Sequence, residues 1–152
     1  MMKKICLIAS SGGHLEEVTA LRKLSNYYEI HIVTEGPRTM DFSSKNYTWL
    51  LQINRREFLW PIKILYNSFL SLSFLISVSP QVIISTGALS TIPMMILGKI
   101  MNKKIIYIET MAKVSTPSLT GKFVYKFADL FIYQWPALSK YYPKGIYLGS
   151  IF

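Results

Sequence analysis

Lys3-Lys4-Ile5-Cys6-Leu7-Ile8-Ala9-Ser10-Ser11-Gly12-Gly13-His14 stands near the start of the chain, and its reading decides the fold. Residues 3–9 form a short apolar run bounded by a glycine signal, which predicts a strand buried in a parallel sheet. Gly12-Gly13 predicts a tight turn. Behind it Leu15, Val18, Leu21 and Leu24 recur at helical spacing up to Ser25-Asn26, with Glu16 and Glu17 in the first turn, where acidic groups suit the dipole. A strand, a glycine turn and a helix in succession leave backbone N–H groups pointing outward at the helix start, a position that favours anions. A second junction of this kind runs from Ser85 to Pro93 (Ser-Thr-Gly-Ala-Leu-Ser-Thr-Ile-Pro). The two read as the lips of one ligand crevice on an α/β sheet.

The remaining chain supplies the sheet. Glu29 to Thr34, Tyr47 to Ile53, Gln81 to Ser85, Lys103 to Ile108, Asp129 to Tyr133 and Gly145 to Leu148 read as further strands. Between them, Met40 to Asn46 is a loop or short helix and Thr110 to Pro117 a loop. Ser90 or Thr91 caps a helix that runs to Met101 and stops at Asn102, and Leu119 to Phe127 is another. This alternation predicts one Rossmann-like, three-layer domain over 1–152, with a mostly parallel sheet and right-handed crossovers. A second nucleotide-binding half does not follow, so part of a two-half site is expected to come from elsewhere.

Composition narrows the setting. Hydrophobic residues are 51% of 152, and 17 Lys and Arg outnumber 8 Asp and Glu, for a net charge of +9; mean hydropathy is +0.29. A basic, apolar chain points to an anionic membrane surface, and no RNA-binding signature or basic run with interleaved aromatics argues for nucleic acid. The lone Cys6 allows no internal disulfide, and Ile5 to Ala9 is too short for a secretory segment. The expected location is the cytoplasmic face of the membrane, peripheral or monotopic. The segment 58–78 carries that expectation. Arg55, Arg56 and Trp60 precede Lys63, and Ile64 to Val78 is an apolar helical run of 15 residues, short of the roughly 20 that span a bilayer. It reads as an interfacial helix presenting Leu65 and Phe69 to lipid, or as a buried crossover helix.

His14, at a helix start on the carboxyl end of the first strand, lies where α/β folds bind ligands, and can serve as a base or hydrogen-bond a diphosphate. Ser11, Gly12, Gly13, Thr86, Gly87 and Ser90 offer backbone and hydroxyl donors for a phosphate or sugar. Glu109 ends an otherwise apolar strand, where it can accept from sugar hydroxyls, orient a loop or stand as an exposed strand-end charge. His31 alternates within a strand and reads as structural. No metal-ligand spacing and no cofactor motif is present.

Together these motifs resemble the glycosyltransferases of the GT-B fold that build lipid-linked sugars. Ser11-Gly12-Gly13-His14 is similar to their first glycine loop, and Pro80 to Gly87 with Pro93 and Tyr107-Ile108-Glu109 to their acceptor-side motif. Ser118-Leu119-Thr120-Gly121-Lys122, Asp129 to Ile132, Gln134-Trp135 and Leu148-Gly149 resemble a bacterial capsule and exopolysaccharide family. That family is related to the membrane-anchoring subunit of the eukaryotic UDP-GlcNAc transferase of dolichol-linked glycan synthesis. The resemblance implies the N-terminal half of a split GT-B enzyme, inactive or weakly active alone. It would hold a lipid-diphosphate-linked acceptor (undecaprenyl in bacteria) while a separate subunit binds the UDP-sugar. His14 and Glu109 would then be the catalytic candidates, or Glu109 would brace the first loop; Thr86, Gly87 and Ser90 would contact the acceptor or shape its loop. The eukaryotic subunit's N-terminal anchor is not seen here, which leaves docking to 58–78, and the C-terminal strand with Ile151-Phe152 would face the partner. A non-enzymatic, soluble α/β binding module is the alternative.

Overall fold

The computed structural model describes residues 2–36, 46–54 and 56–151. The expected loop over 40–45, together with Arg55 and Phe152, lies outside them. Seven strands form one sheet: β1 (Lys4–Ala9), β2 (Glu29–Glu35), β3 (Tyr47–Leu50), β4 (Val82–Gly87), β5 (Lys104–Ile108), β6 (Leu130–Tyr133) and β7 (Ile146–Tyr147), in the order β3-β2-β1-β4-β5-β6-β7. Every neighbouring pair is parallel. The expected α/β, Rossmann-like architecture is the one observed. The order reverses between β1 and β4, and the crevice outside such a switch point is where ligands bind in open α/β sheets.

Helices cover both faces. α1 (Gly13–Thr19) tightens into a 3-10 segment (Ala20–Asn26) and packs Val18, Leu21 and Leu24 against Ile5, Leu7, Ile30 and Ile32. On the other face, α2 (Trp60–Ser77), α3 (Ile92–Ile100) and α4 (Leu119–Val124) lie over Cys6, Ile8, Ile83, Ile105, Tyr107 and Phe131. α2 starts at Trp60, so Lys63 lies in its first turn. The two readings of this segment prove compatible in geometry: Phe74 and Leu75 are buried in the core, while Leu65 and Phe69 on the outer side are 72% and 69% exposed. Among the described residues no helix is long and apolar enough to cross a membrane.

Two local differences from expectation have identifiable causes. β3 ends at Leu50, not Ile53, because β2 ends at Glu35 and the chain beyond Leu50 turns to side-chain partners. The Asn67 amide takes both the N–H and the carbonyl of Leu51 (2.8 and 2.9 Å), and the Glu35 carboxyl accepts from Ile53 N (3.2 Å). β4 in turn runs through Gly87, because its register against β1 shifts: Ile8 faces Ser85, and Ala9 faces Gly87. That bulge delays α3. A 3-10 turn (Leu89–Thr91) intervenes, and the Thr91 hydroxyl donates back to the Ala88 carbonyl at 2.9 Å, with neither Ser90 nor Thr91 making a side-chain cap. Asn102 does stop α3, in the left-handed conformation (φ 57°).

The bulge leaves a strained corner. Gly87 has φ 116°, and Ala88 adopts φ 96°, ψ 156°, a region that is essentially glycine's own. Ala88→Gly should therefore leave stability unchanged or raise it by up to about 1 kcal/mol, whereas the same change in a regular element costs about 0.5–1 kcal/mol. Urea unfolding measures the sign.

Candidate functional site

The carboxyl ends of β1, β4 and β5 meet at the switch point, and each contributes one wall. The first wall is the glycine corner. Gly12 takes φ 82°, ψ −144°, and its carbonyl accepts from Leu15 N (2.9 Å) and Glu16 N (3.1 Å), which starts α1. Gly13 differs: its φ is not positive, and a Cβ placed on it would meet nothing within 4 Å. Packing within the chain therefore does not require glycine at 13. A bare, exposed backbone faces open space there.

His14 comes next and is held from two sides. Its carbonyl accepts the Thr86 hydroxyl at 2.8 Å. Its ring edge lies over Gly87, where an added Cβ would stand 3.5 Å from His14 Cε1 and 2.8 Å from the Tyr107 hydroxyl. Its Nδ1 is buried and has no hydrogen-bond partner among the described residues. The second wall is thus a scaffold. Thr86, Gly87 and Ser90, expected to contact a ligand or to shape its loop, are all buried, and the Thr86 hydroxyl donates to the His14 carbonyl, which places them as loop-shaping residues. Ser11, Gly12 and Gly13 are the candidates left at the surface.

Glu109 does not sit at the surface as a strand-end charge, because its residue is fully buried. Its carboxyl group accepts from Thr110 N (3.2 Å), from Ser118 N (3.1 Å) and, in a short hydrogen bond, from the Tyr142 hydroxyl. Ser118 also caps α4, its Oγ accepting from Gly121 N at 2.8 Å. Gly121 must be glycine: a Cβ there would lie 2.2 Å from Glu109 Oε2. Burial and the adjoining Glu109 push the Tyr142 and Tyr107 hydroxyls far above the usual tyrosine range, so both remain proton donors.

Loop 110–118 becomes the third wall. The sequence suggested only a dipole role for Glu17, but the residue is buried and reaches across: Oε1 accepts the Thr110 hydroxyl and Met111 N, both at 2.9 Å. Trp135 Nε1 donates to the Met111 carbonyl at 2.7 Å, and Gln134 Nε2 to the Glu109 carbonyl at 3.0 Å. The Glu16-Glu17 pair in the sequence carried no signal that distinguished its second member. At the far side, Glu35 ends β2, and burial raises its carboxyl above the ordinary 4.5, with Ile53 N–H and the neighbouring Ser90 hydroxyl opposing the shift. His31 bonds Glu29 and meets Phe74 edge-on, a structural placement. Among the described residues no group of His, Cys, Asp and Glu could hold a metal ion.

Known proteins resemble this chain in sequence and in fold. The profile of the family described as "Oligosaccharide biosynthesis protein Alg14 like" matches residues 51–151. The chain belongs to that family. It is 32% identical to the human "UDP-N-acetylglucosamine transferase subunit ALG14" over 97% of this chain and 82% of that protein. The mouse protein of the same name is 30% identical at the same coverage. Both alignments span nearly the whole Alg14-like chain, beyond the 51–151 that the profile matches. Among solved structures, MurG of Acinetobacter baumannii superimposes with a TM-score of 0.72 at 14% identity, over 88% of this chain and 42% of MurG. A UDP-N-acetylglucosamine 2-epimerase from Rickettsia bellii does so with 0.75 at 12%, over 99% and 46%. These two share the fold, and the Alg14-like chain spans less than half of either.

Two variants probe the Alg14-like site. Gly121→Ala, which drives a methyl group into the buried carboxyl, should destabilise by roughly 1–3 kcal/mol in urea unfolding. Glu35→Gln keeps an acceptor for Ile53 N. Because the folded state holds the Glu35 proton to higher pH than the unfolded chain, this group's contribution falls as pH rises through its folded pKa. The variant should be more stable than the parent at pH 7, and the gap should close below about pH 4.

Proposed function

We propose that this chain is the acceptor-binding, membrane-docking subunit of a two-component glycosyltransferase. It holds a lipid-diphosphate-linked saccharide, undecaprenyl-linked in a bacterial cell, at the cytoplasmic face of the membrane. A separate subunit brings a UDP-sugar, and the product enters a capsular or exopolysaccharide. The observation that carries this reading is the bare Gly12-Gly13 corner beside His14 at the switch point of the sheet, with the His14 carbonyl bonded to Thr86 and its ring packed on Gly87. Exposed N–H groups suit the diphosphate, and an imidazole fixed over Gly87 suits the acceptor hydroxyl, as a base or as an orienting group. Glu109 enters this proposal as a positioning residue that fixes loop 110–118.

The partner reading draws support from three sides. The relatives are named as transferase subunits. The described residues build a single Rossmann-like sheet, and in the GT-B enzymes that the sequence resembles the site lies between two such sheets. Half a cleft neither holds both substrates nor excludes water. Moreover, α1 and its 3-10 continuation pack against β1, β2 and β4, while Ile146 and Leu148 at the β7 end of that face are 47% and 64% exposed. Membrane docking is supported by the outer stripe of α2, in which Leu65 and Phe69 point to solvent.

Sugar transfer to a lipid-diphosphate acceptor is measured for this chain, the partner and the mixture. Only the mixture should turn over; full transfer by this chain alone overturns the split. In the complex, His14→Ala should cut turnover about 100-fold or more without dissociating the subunits. Gly13→Ala should leave urea stability within about 1 kcal/mol but weaken acceptor binding, which a merely structural glycine would not do. A soluble binding module predicts no effect of either change.

A further inference from the structure

We infer that the chain lies flat on an anionic bilayer through the outer face of its entire α2–α3–α4 layer, and not by the start of α2 alone. The inference rests on the membrane docking proposed above and specifies its geometry. On α2, Ile62, Leu65, Phe69 and Ile76 are each more than 60% exposed. Their spacing keeps them on one side of the helix, over about 21 Å of its length. A helix that dips only its first turns into a membrane has no use for Phe69 and Ile76. The apolar surface also continues sideways. α3 packs beside α2 and α4 beside α3. Ile100 is 71% exposed and Phe123 is 42% exposed, and together with Ile96 and Phe127 they line a shallow apolar depression.

The placement of these residues gives the orientation. A helix that comes after a parallel strand returns toward the other edge of the sheet. The ends of α2 and α3, with Ile76 and Ile100, therefore lie at the edge opposite the crevice, whereas Ile62 lies near the crevice edge. The apolar footprint spans both edges, so the sheet rests parallel to the surface. The crevice then opens sideways, level with the headgroups.

Charge selects the occupant. From Phe58 to Ile108 the sequence contains no Asp or Glu, and α4 contains none either. The lysines carried by α2, α3 and α4 are Lys63, Lys99 and Lys122, and Lys126 follows α4. Lys63 pairs with Glu57 and Lys99 with Asp129 (2.9 Å), while Lys122 and Lys126 are exposed with no ion pair among the described residues. Helices that carry no carboxylate, with Glu57 and Asp129 at their border each ion-paired to a lysine and Lys122 and Lys126 left without an ion pair among the described residues, present a face complementary to an anionic lipid monolayer. Each such lysine contributes roughly five-fold in partitioning.

The test uses the full chain and sedimentation with vesicles of phosphatidylglycerol and phosphatidylcholine. Ile100→Asp with Phe123→Asp, both at exposed sites, should lower binding at least ten-fold with unchanged circular dichroism. Lys122→Glu with Lys126→Glu should weaken binding to vesicles containing phosphatidylglycerol and leave the residual binding to pure phosphatidylcholine unchanged. A fluorophore on Ile100→Cys should be quenched by lipids spin-labelled near the headgroup as strongly as one on Phe69→Cys; the buried Cys6 does not compete for label. If position 69 is quenched, position 100 is not, and Ile100→Asp with Phe123→Asp binds as the parent does, flat docking is overturned while docking by α2 stands. If the parent binds no vesicle, both fall.

Discussion

The crevice depends on a carboxyl group taken out of water. Glu109 has no exposure, and a buried carboxyl without donors costs several kcal/mol. Its donors come from three places in the chain: Thr110 beside it, Ser118 at the cap of α4, and Tyr142 between β6 and β7. Satisfying that one group therefore draws loop 110–118, α4 and the C-terminal segment together. The same loop is gripped from α1 by Glu17. The topology makes this grip possible: β1 and β5 are separated only by β4, so the segments leaving their carboxyl ends meet above the end of β4. Two carboxyl groups, at positions 17 and 109, hold one wall rigid without occupying its surface.

The opposite constraint acts on the backbone. Between the rigid wall and the glycine corner, β4 slips by one residue against β1 and delivers Gly87 and Ala88 in conformations that side chains resist. The packing shows what that strain achieves: Gly87 presents no side chain, so the His14 ring can lie against the strand, and Thr86 turns its hydroxyl to the His14 carbonyl. A side chain at position 87 would run into the Tyr107 hydroxyl, 2.8 Å from where its Cβ would stand, beside the imidazole. The geometry of His14 is thus set by a neighbouring strand, 72 residues away in sequence.

The same two constraints separate the parts of the molecule that were legible in the sequence from those that were not. The strands and their parallel order announce themselves through apolar runs with glycine or proline punctuation, since burial on both faces leaves such runs no alternative. Gly12, Gly13 and His14 were legible because a glycine corner after a strand is a local signal. Roles created by long-range contact were not. Thr86 and Ser90 look like ligand donors in a list of hydroxyls, yet the bulge turns them inward. Glu17 looks like a first-turn acid, yet its partner is Thr110. Glu109 was open between a sugar acceptor, a group that orients a loop and an exposed charge; that it holds loop 110–118 from inside a cage that needs Gly121 is a property of the assembled fold. The early end of β3 has the same origin, because Asn67 and Glu35 compete for its backbone.

α2 is the element where local and global logic conflict most. A helix packed on a sheet in water should hide its apolar stripe and show its polar one. Here Asn67 and Ser71 are buried, beside Phe74 and Leu75, while Ile62, Leu65, Phe69 and Ile76 face outward. Asn67 has a reason to be inside, because its amide fastens the helix to the end of β3. Among the described residues nothing gives the outer leucine, isoleucines and phenylalanine a comparable reason. The hydrophobic effect favours their removal from water, and the sheet cannot remove them because they point away from it. Their presence is consistent with a sequence whose outer solvent at this face is not water, and the lack of any carboxylate from Phe58 to Ile108 carries the same implication into α3. On the docking proposed above, the interior of the domain and its outer helical face are two hydrophobic surfaces serving different neighbours, with α2 shared between them.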